Sequence, residues 1–302
     1  GFPSGIKINH SLITHELNAR RPGQSSLTTS RSELDTPEFM SGIFEGITTG
    51  TPISFVIHNK DQKSKDYDVL KDIYRPSHAD YVYEKKYGIR DHLGGGRSSA
   101  RETAIRVVAG CFAQMLLEQI GVRVFAYVSG VHTIHTKQSY KNLDLTSVYS
   151  IDTRCPEHET SVRMKEEILK AAKDGDSLGG IVTGVATNVP VGLGAPVYGK
   201  LHADLGAAML GINAVKGFEV GSGFGAAEMK GSEHNDELKM VDGKIVSTTN
   251  HSGGIQGGIS NGEDILFRVA FKPVATIRKS QQTVNKAGEE VKMQGTGRHD
   301  PC

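Results

Sequence analysis

Eight apolar residues at helical spacing, Ala104, Val107, Val108, Cys111, Phe112, Met115, Leu116 and Ile120, constrain this chain more than any other feature. They specify a long amphipathic helix with one face that has to be buried, and Gly121 stops it. The run just before them, Gly94-Gly95-Gly96-Arg97-Ser98-Ser99-Ala100-Arg101-Glu102-Thr103, prepares the helix N-terminus. Ser99 and Glu102 have the spacing of a capping box, which predicts a start near Ala100. Unpaired N–H groups, the positive end of the helix dipole, glycines that admit a ligand and two planar guanidiniums together predict an anion site. Phosphate or carboxylate is the expected guest. No G-x-x-x-x-G-K-[ST] is present, and the glycines follow the polar stretch 85–92 instead of a hydrophobic strand, so neither a P-loop nor a Rossmann turn fits.

The remaining chain alternates helices with pairs of strands. A short helix is predicted over Asn9–Ala19 with Asn9 as its cap, another over Ser161–Lys173, and a second long one over Leu201–Val215, stopped by Gly217. Strand patterns cover 41–58, 122–131, 181–189 and much of the chain from Phe218 onward. The stretch 137–160 shows neither period and reads as a surface excursion without chemistry. This pattern predicts an α+β fold with largely antiparallel sheets, in which two halves look loosely alike.

Charge and cysteine usage narrow the function. With 35 Lys+Arg against 34 Asp+Glu, net charge is +1, so bulk electrostatics does not hold a nucleic acid and any anion selectivity is local. Cations recur beside glycines and prolines at Arg20, Arg21, Arg31, Arg75, Arg90, Arg97, Arg101, Lys272, Arg278 and Arg298. The three cysteines, Cys111, Cys155 and Cys302, are too scattered for a disulfide framework or zinc cluster, and no apolar stretch approaches a membrane span. A cytoplasmic protein without membrane contact is expected.

Further constellations carry possible chemistry. Tyr74-Arg75-Pro76-Ser77-His78-Ala79-Asp80-Tyr81 sets a histidine between an arginine and an aspartate, suited to acid–base work or equally to a structural histidine held by Asp80. His132 and His135 lack a third metal ligand nearby, and no metal is expected. Gly253-Gly254 and Gly257-Gly258, within 250–262, either bring backbone against a ring or phosphate or form tight turns. Lys272-Pro273-Val274-Ala275-Thr276 ends a strand with a cation and a hydroxyl. Arg298 and Asp300, two apart, would share one face of a strand, as an anion and proton site or as a surface ion pair.

In order and over nearly its whole length the chain resembles the chorismate synthases, through GFPSGI, RRPGQS, SGIFEGITTGTPI, YRPSHADY, GGGRSSARET, GDSLGG, INAVKGFEVG, NHSGGIQGGISNG and GRHDPC. The resemblance implies a β-α-β sandwich with long helices layered between the sheets, and a homotetramer. It implies conversion of 5-enolpyruvylshikimate 3-phosphate to chorismate and phosphate by 1,4-elimination, with reduced FMN and no net redox change. By resemblance, Arg97, Ser98, Ser99, Asn213, Ala214, Gly257, Lys272, Pro273, Val274, Ala275, Thr276 and Arg298 surround the flavin. Arg20, Ser26, Arg97, Arg101 and Arg298 bind substrate; His78 governs protonation of the reduced flavin, and Asp300 works with flavin N5 in removing the ring proton.

Residues 1–302 read as one such domain, lacking the family's N-terminal Gly-Glu-Ser-His-Gly and the helical sequence after RHDPC. Ser26 stands where many members carry a basic residue, Leu93 where many bacterial members carry arginine, and Val274-Ala275 where hydroxyl residues are common. Two other readings follow: a flavin- and anion-binding fragment without turnover, and a flavin oxidoreductase that uses NADPH.

Overall fold

The computed structural model describes residues 2–28, 35–59, 70–93, 96–295 and 300–302, with Arg97 described in its backbone alone. In chain order the elements begin with α1 (His10–Arg20), β1 (Pro37–Ser41), β2 (Ile43–Phe44), β3 (Ile47–Thr48), β4 (Ser54–Ile57), α2 (Asp80–Tyr87) and α3 (Thr103–Glu118). There follow β5 (Arg123–Val131), β6 (Ile134–His135), α4 (His158–Lys173), β7 (Gly180–Thr187), α5 (Leu201–Leu210) and β8 (Val215–Val220). The last are α6 (Gly231–His234), β9 (Leu238–Val241), β10 (Lys244–Ser247), β11 (Ile255–Gln256), β12 (Ile259–Ser260), β13 (Ile265–Phe271), β14 (Gln281–Val284) and β15 (Glu290–Met293). Every strand pairing among the described residues is antiparallel, so the fold is α+β as the sequence predicts.

The chain divides into two compact units: residues 1–116, 163–178 and 273–302 form the first, residues 117–162 and 179–272 the second. These units interleave along the sequence and are not an N-terminal and a C-terminal half. In the first, α1 and α3 pack together through Ile13, Leu17, Val108, Cys111, Phe112 and Met115. The Phe112 ring meets Phe2 and Phe39 edge-on at centroid distances of 5.6 and 5.8 Å. Burying one such side chain stabilises the fold by roughly 1.5–3 kcal/mol. Asn9 caps α1 as expected, its side chain accepting from the Leu12 amide at 2.9 Å. Near the other end of the chain the β14–β15 hairpin ties down residues 72–74: Ile73 bridges Asn285, the Tyr74 amide donates to the Val284 carbonyl, and Thr283 bonds the Tyr74 carbonyl.

The second unit is built on a five-stranded sheet of order β6-β5-β7-β13-β8. Side-chain alternation sorts its faces. Ala186, Val220, Ile265 and Phe267 join Leu201 and Leu205 of α5 in one cluster. Tyr127, Val185 and Leu266 join Tyr140, Leu143, Leu145 and Val148 in another. The stretch 137–160 therefore is not a surface excursion: its apolar residues follow short 3-10 turns, which hide them from any helical or strand period. The predicted helix Leu201–Val215 is also shorter, because Gly211 ends it and Val215 already belongs to β8.

Candidate functional site

Arg20 lies at the C-terminal end of α1, where the helix dipole favours a cation, and its guanidinium Nη1 sits 3.1 Å from Asp35 Oδ2. Arg101 reaches the same carboxylate from the turn before α3, with Nη2 2.8 Å from Oδ1. The Asp35 side chain is 1% exposed and both arginines are 22% exposed, so the carboxylate is sealed and the guanidiniums are its rim. Burial pushes the Asp35 carboxyl up, with Arg20 pulling it back; burial lowers the Arg20 value, and Asp35 offsets it. Thr103 adds a second hold, its hydroxyl accepting from Arg20 Nε at 3.3 Å and Nη2 at 3.2 Å while donating to the Ala100 carbonyl at 2.6 Å.

The sequence before α3 behaves partly as predicted. Ser99 accepts from the Arg101 amide at 3.3 Å, but it caps a 3-10 turn, Ala100–Glu102, and the α-helix proper begins at Thr103. Glu102 does not reach back to complete a capping box; its carboxylate bonds Arg106 Nε at 3.2 Å, one turn ahead. Gly94, Gly95 and the Arg97 side chain lie outside the described residues, while Ser98 is half-buried beside Ser99.

His78 belongs to a second charged network. Asp80, at the start of α2 with a side chain 3% exposed, accepts from Arg75 Nε at 2.7 Å and Nη2 at 2.8 Å, a two-pronged pairing, and lies 3.0 Å from Arg90 Nη1. His78 Nδ1 stands 2.9 Å from Asp80 Oδ1 and 3.0 Å from Arg75 Nη2. A proton on Nδ1 lets His78 donate to the carboxylate; the Arg75 Nη2 approach is then a close contact and not a hydrogen bond, and Nε2 is the ring nitrogen left over. Among the described residues Nε2 has no hydrogen-bond partner. Burial opposes ionisation of Asp80, yet the bonds from Arg75 and His78 outweigh it and hold this carboxyl far below the usual carboxylate range. Arg90 also approaches Glu84 at 3.6 Å, and Lys286 approaches the same carboxylate at 3.3 Å.

In the second unit, the two residues between β11 and β12 are Gly257 and Gly258, with φ of 61° and 94°. A side chain at Gly258 would strike Lys200 Cγ at 2.6 Å and the Ala195 carbonyl at 2.8 Å, whereas one at Gly257 meets nothing described within 4 Å. The tight turn is thus formed, with the Gly257 backbone open on one face. Ala214 takes the left-handed conformation at φ 70° just after Asn213, and its carbonyl accepts from the Lys272 amide at 3.0 Å. Burial lowers the Lys272 value, and repulsion from Lys216 lowers it further. Lys272 and Lys216 thus set two cations near each other in the second unit.

In the first unit, Ser177 donates to the Val274 carbonyl at 2.8 Å and Thr276 is buried; Pro273 and Ala275 are half-buried. Leu178 bonds the Pro301 carbonyl at 2.8 Å, which anchors the segment carrying half-buried Asp300. Arg298 and the Arg298–Asp300 pairing lie outside the described residues, and Ser26 is exposed in a turn. His132 occupies the β5–β6 turn, and no cluster able to hold a metal exists among the described residues. Sequence reasoning missed Asp35, gave Thr103 no role of its own, and listed Arg90 only among the recurring cations. Asp35 ends the aperiodic charged stretch 31–35, and only the position of Arg20 and Arg101 gives it meaning.

Two cations share one buried carboxylate around Asp35, and Arg75 and Arg90 share another at Asp80. Such fixed positive charge on an α+β fold suits a protein that binds a small anion. Comparison with known proteins specifies it. A family model described as chorismate synthase matches residues 1–302. The chorismate synthase of Christiangramia forsetii is 58% identical over 302 residues, spanning 100% of this chain and 84% of that protein. That of Phocaeicola vulgatus is 57% identical with the same coverage. A crystal structure of chorismate synthase matches with a TM-score of 0.74 at 31% identity, covering 91% of this chain and 79% of the other. The chain belongs to the chorismate synthase family. It is a lyase of the shikimate pathway, in aromatic amino-acid biosynthesis, that acts on a small molecule, and the family implies a flavin cofactor. No helix among the described residues is long and apolar enough to cross a membrane.

Proposed function

We propose that Arg20, Arg101 and the undescribed Arg97 and Arg298 side chains bind 5-enolpyruvylshikimate 3-phosphate, and that the chain works with reduced FMN in a cytoplasmic homotetramer. The observation that carries this reading is the pairing of Arg20 and Arg101 on the sealed Asp35 carboxylate, which presents two oriented guanidiniums to a substrate bearing carboxylates and phosphate. The residues assigned to the flavin fit its chemistry: Gly257 has an open face for a flat ring, and Lys272 and Lys216 set two cations near each other. Asn213 and Ala214 of the second unit offer backbone groups, and in the first unit Pro273 to Thr276 offer backbone groups and Ser98 and Ser99 hydroxyls. When bound, reduced FMN supplies electron density as the phosphate departs and recovers it afterwards.

The 1,4-elimination breaks a ring C–H bond and the C–O bond to phosphate: the C–H electron pair forms a new C=C bond, the ring alkene shifts by one position, and phosphate leaves with the C–O pair, giving a conjugated diene. Asp300 receives the proton that leaves the ring. His78, oriented through Nδ1 by Asp80, holds a proton at Nε2 and sets the charge state of the bound cofactor. The arginines balance the charge of the departing phosphate. Anaerobic incubation of the protein with reduced FMN and the enolpyruvyl substrate is expected to release one phosphate per chorismate formed. No phosphate release, or stoichiometric oxidation of NADPH without chorismate, would refute the assignment.

A further inference from the structure

We propose that Asp35 is a positioning residue for the substrate: it sets the spacing and direction of Arg20 and Arg101 before the anion arrives. The inference rests on the reading of those two arginines as substrate ligands. A carboxylate is an unexpected neighbour for an anion site, because its charge repels the ligand that the arginines attract. Its presence there calls for a gain that offsets this repulsion, and the geometry supplies one.

Each oxygen of Asp35 takes a different guanidinium, at 3.1 and 2.8 Å, so one rigid planar group fixes two long side chains from distant parts of the sequence. A sealed carboxylate has no freedom to follow a moving partner, so the arginines conform to it. Thr103 restrains Arg20 from a second side through Nε and Nη2, and is itself tied to the Ala100 carbonyl. Without these anchors two like charges repel and each arginine samples many rotamers, all of which substrate binding would have to freeze.

Steady-state kinetics of Asp35→Asn discriminates this from simple charge. An amide can accept from one guanidinium but turns its NH2 toward the other. A positioning role therefore raises KM for the phosphorylated substrate by about tenfold or more, with kcat changed by less than about threefold and flavin affinity unchanged. A purely electrostatic role gives the opposite sign, since removing a negative charge tightens anion binding; an unchanged or lowered KM would overturn the proposal. If Asp35→Asn does not fold, Asp35→Glu takes its place, keeping the charge while moving the carboxylate by one methylene. A rise in KM of a few fold supports the proposal, and an unchanged KM overturns it. Arg101→Gln separates the two layers of the argument. If its KM is unchanged, the substrate-ligand reading itself fails; if its KM rises while that of Asp35→Asn does not, positioning alone fails.

Discussion

Replacing Asp80 by Asn tests the network behind His78 with both a magnitude and a sign. Asp80 is the shared partner of Arg75, Arg90 and His78, and the side chains of Arg75 and Arg90 are 9% and 4% exposed. Breaking a buried pair by removing one partner costs about 3–5 kcal/mol, because the remaining charge stays desolvated. Arg90 keeps its bonds to the Leu70 and Lys71 carbonyls at 2.7 and 2.9 Å, whereas Arg75 is left with one amide oxygen at position 80. The lower part of that range, about 3 kcal/mol at pH 7, is therefore the expected loss. The pH dependence follows from the depressed carboxyl. An unfolded aspartate titrates near pH 3.9 and the folded one far below it, so the stabilisation is complete above about pH 5 and is lost as pH falls through the unfolded and then toward the folded value. Near pH 3 roughly 1.3 kcal/mol of it is gone, and the gap between wild type and variant narrows by that amount. Urea unfolding followed by far-ultraviolet circular dichroism at pH 7, 5 and 3 measures the gap. A loss below about 1 kcal/mol at pH 7, or a gap that widens on acidification, would refute the reasoning.

Other outcomes are equally specific. Asp300→Asn is expected to keep flavin affinity by fluorescence titration and to lose most turnover, at least about 100-fold, because it removes a base at nearly constant size; unchanged turnover would remove Asp300 from the mechanism. Gly257→Ala is expected to cost about 1–2 kcal/mol of left-handed backbone strain and to weaken flavin binding. Gly258→Ala is expected to destabilise more in urea, since its Cβ meets Lys200 and the Ala195 carbonyl. Tyr140 donates to Asp264 at 2.9 Å, and burial, with that bond second, holds its phenol well above the ordinary range. Tyr140→Phe should cost about 1–2 kcal/mol in urea unfolding at pH 7. The wild-type advantage should shrink as pH rises above about 10, because the unfolded phenol ionises first.

The parts of this fold legible in the sequence are those governed by local rules. The α3 face follows the 3.6-residue period through Ala104, Val108, Cys111, Phe112 and Met115, and Asn9 caps α1 through its own side chain. The Gly257-Gly258 pair turns a hairpin because both residues need positive φ. His78 and Asp80 are two residues apart, so their contact is local as well. What was hidden depends on distant partners. Helix α2 leaves Tyr81, Val82 and Tyr87 exposed, so it has no apolar period to read. Residues 137–160 bury Val148 and Cys155 without repeating any spacing, and Glu157 is buried because Thr160 and the Lys137 and Gln138 amides bond it. Asp35 acquires its role only when residues 20 and 101 are brought to it.

The hairpin that holds the Tyr74 carbonyl through Thr283 joins positions 209 residues apart. On the ribosome, the segment leading into Arg75, His78 and Asp80 is therefore translated long before the strands that brace it. The histidine network stays unbraced until almost the last tenth of this sequence has emerged. A nascent chain stalled at residue 272 would carry Arg75, His78, Asp80, Glu84 and Arg90 but neither Lys286 nor the β14–β15 clamp, which makes the order of synthesis part of how this charged frame comes to exist.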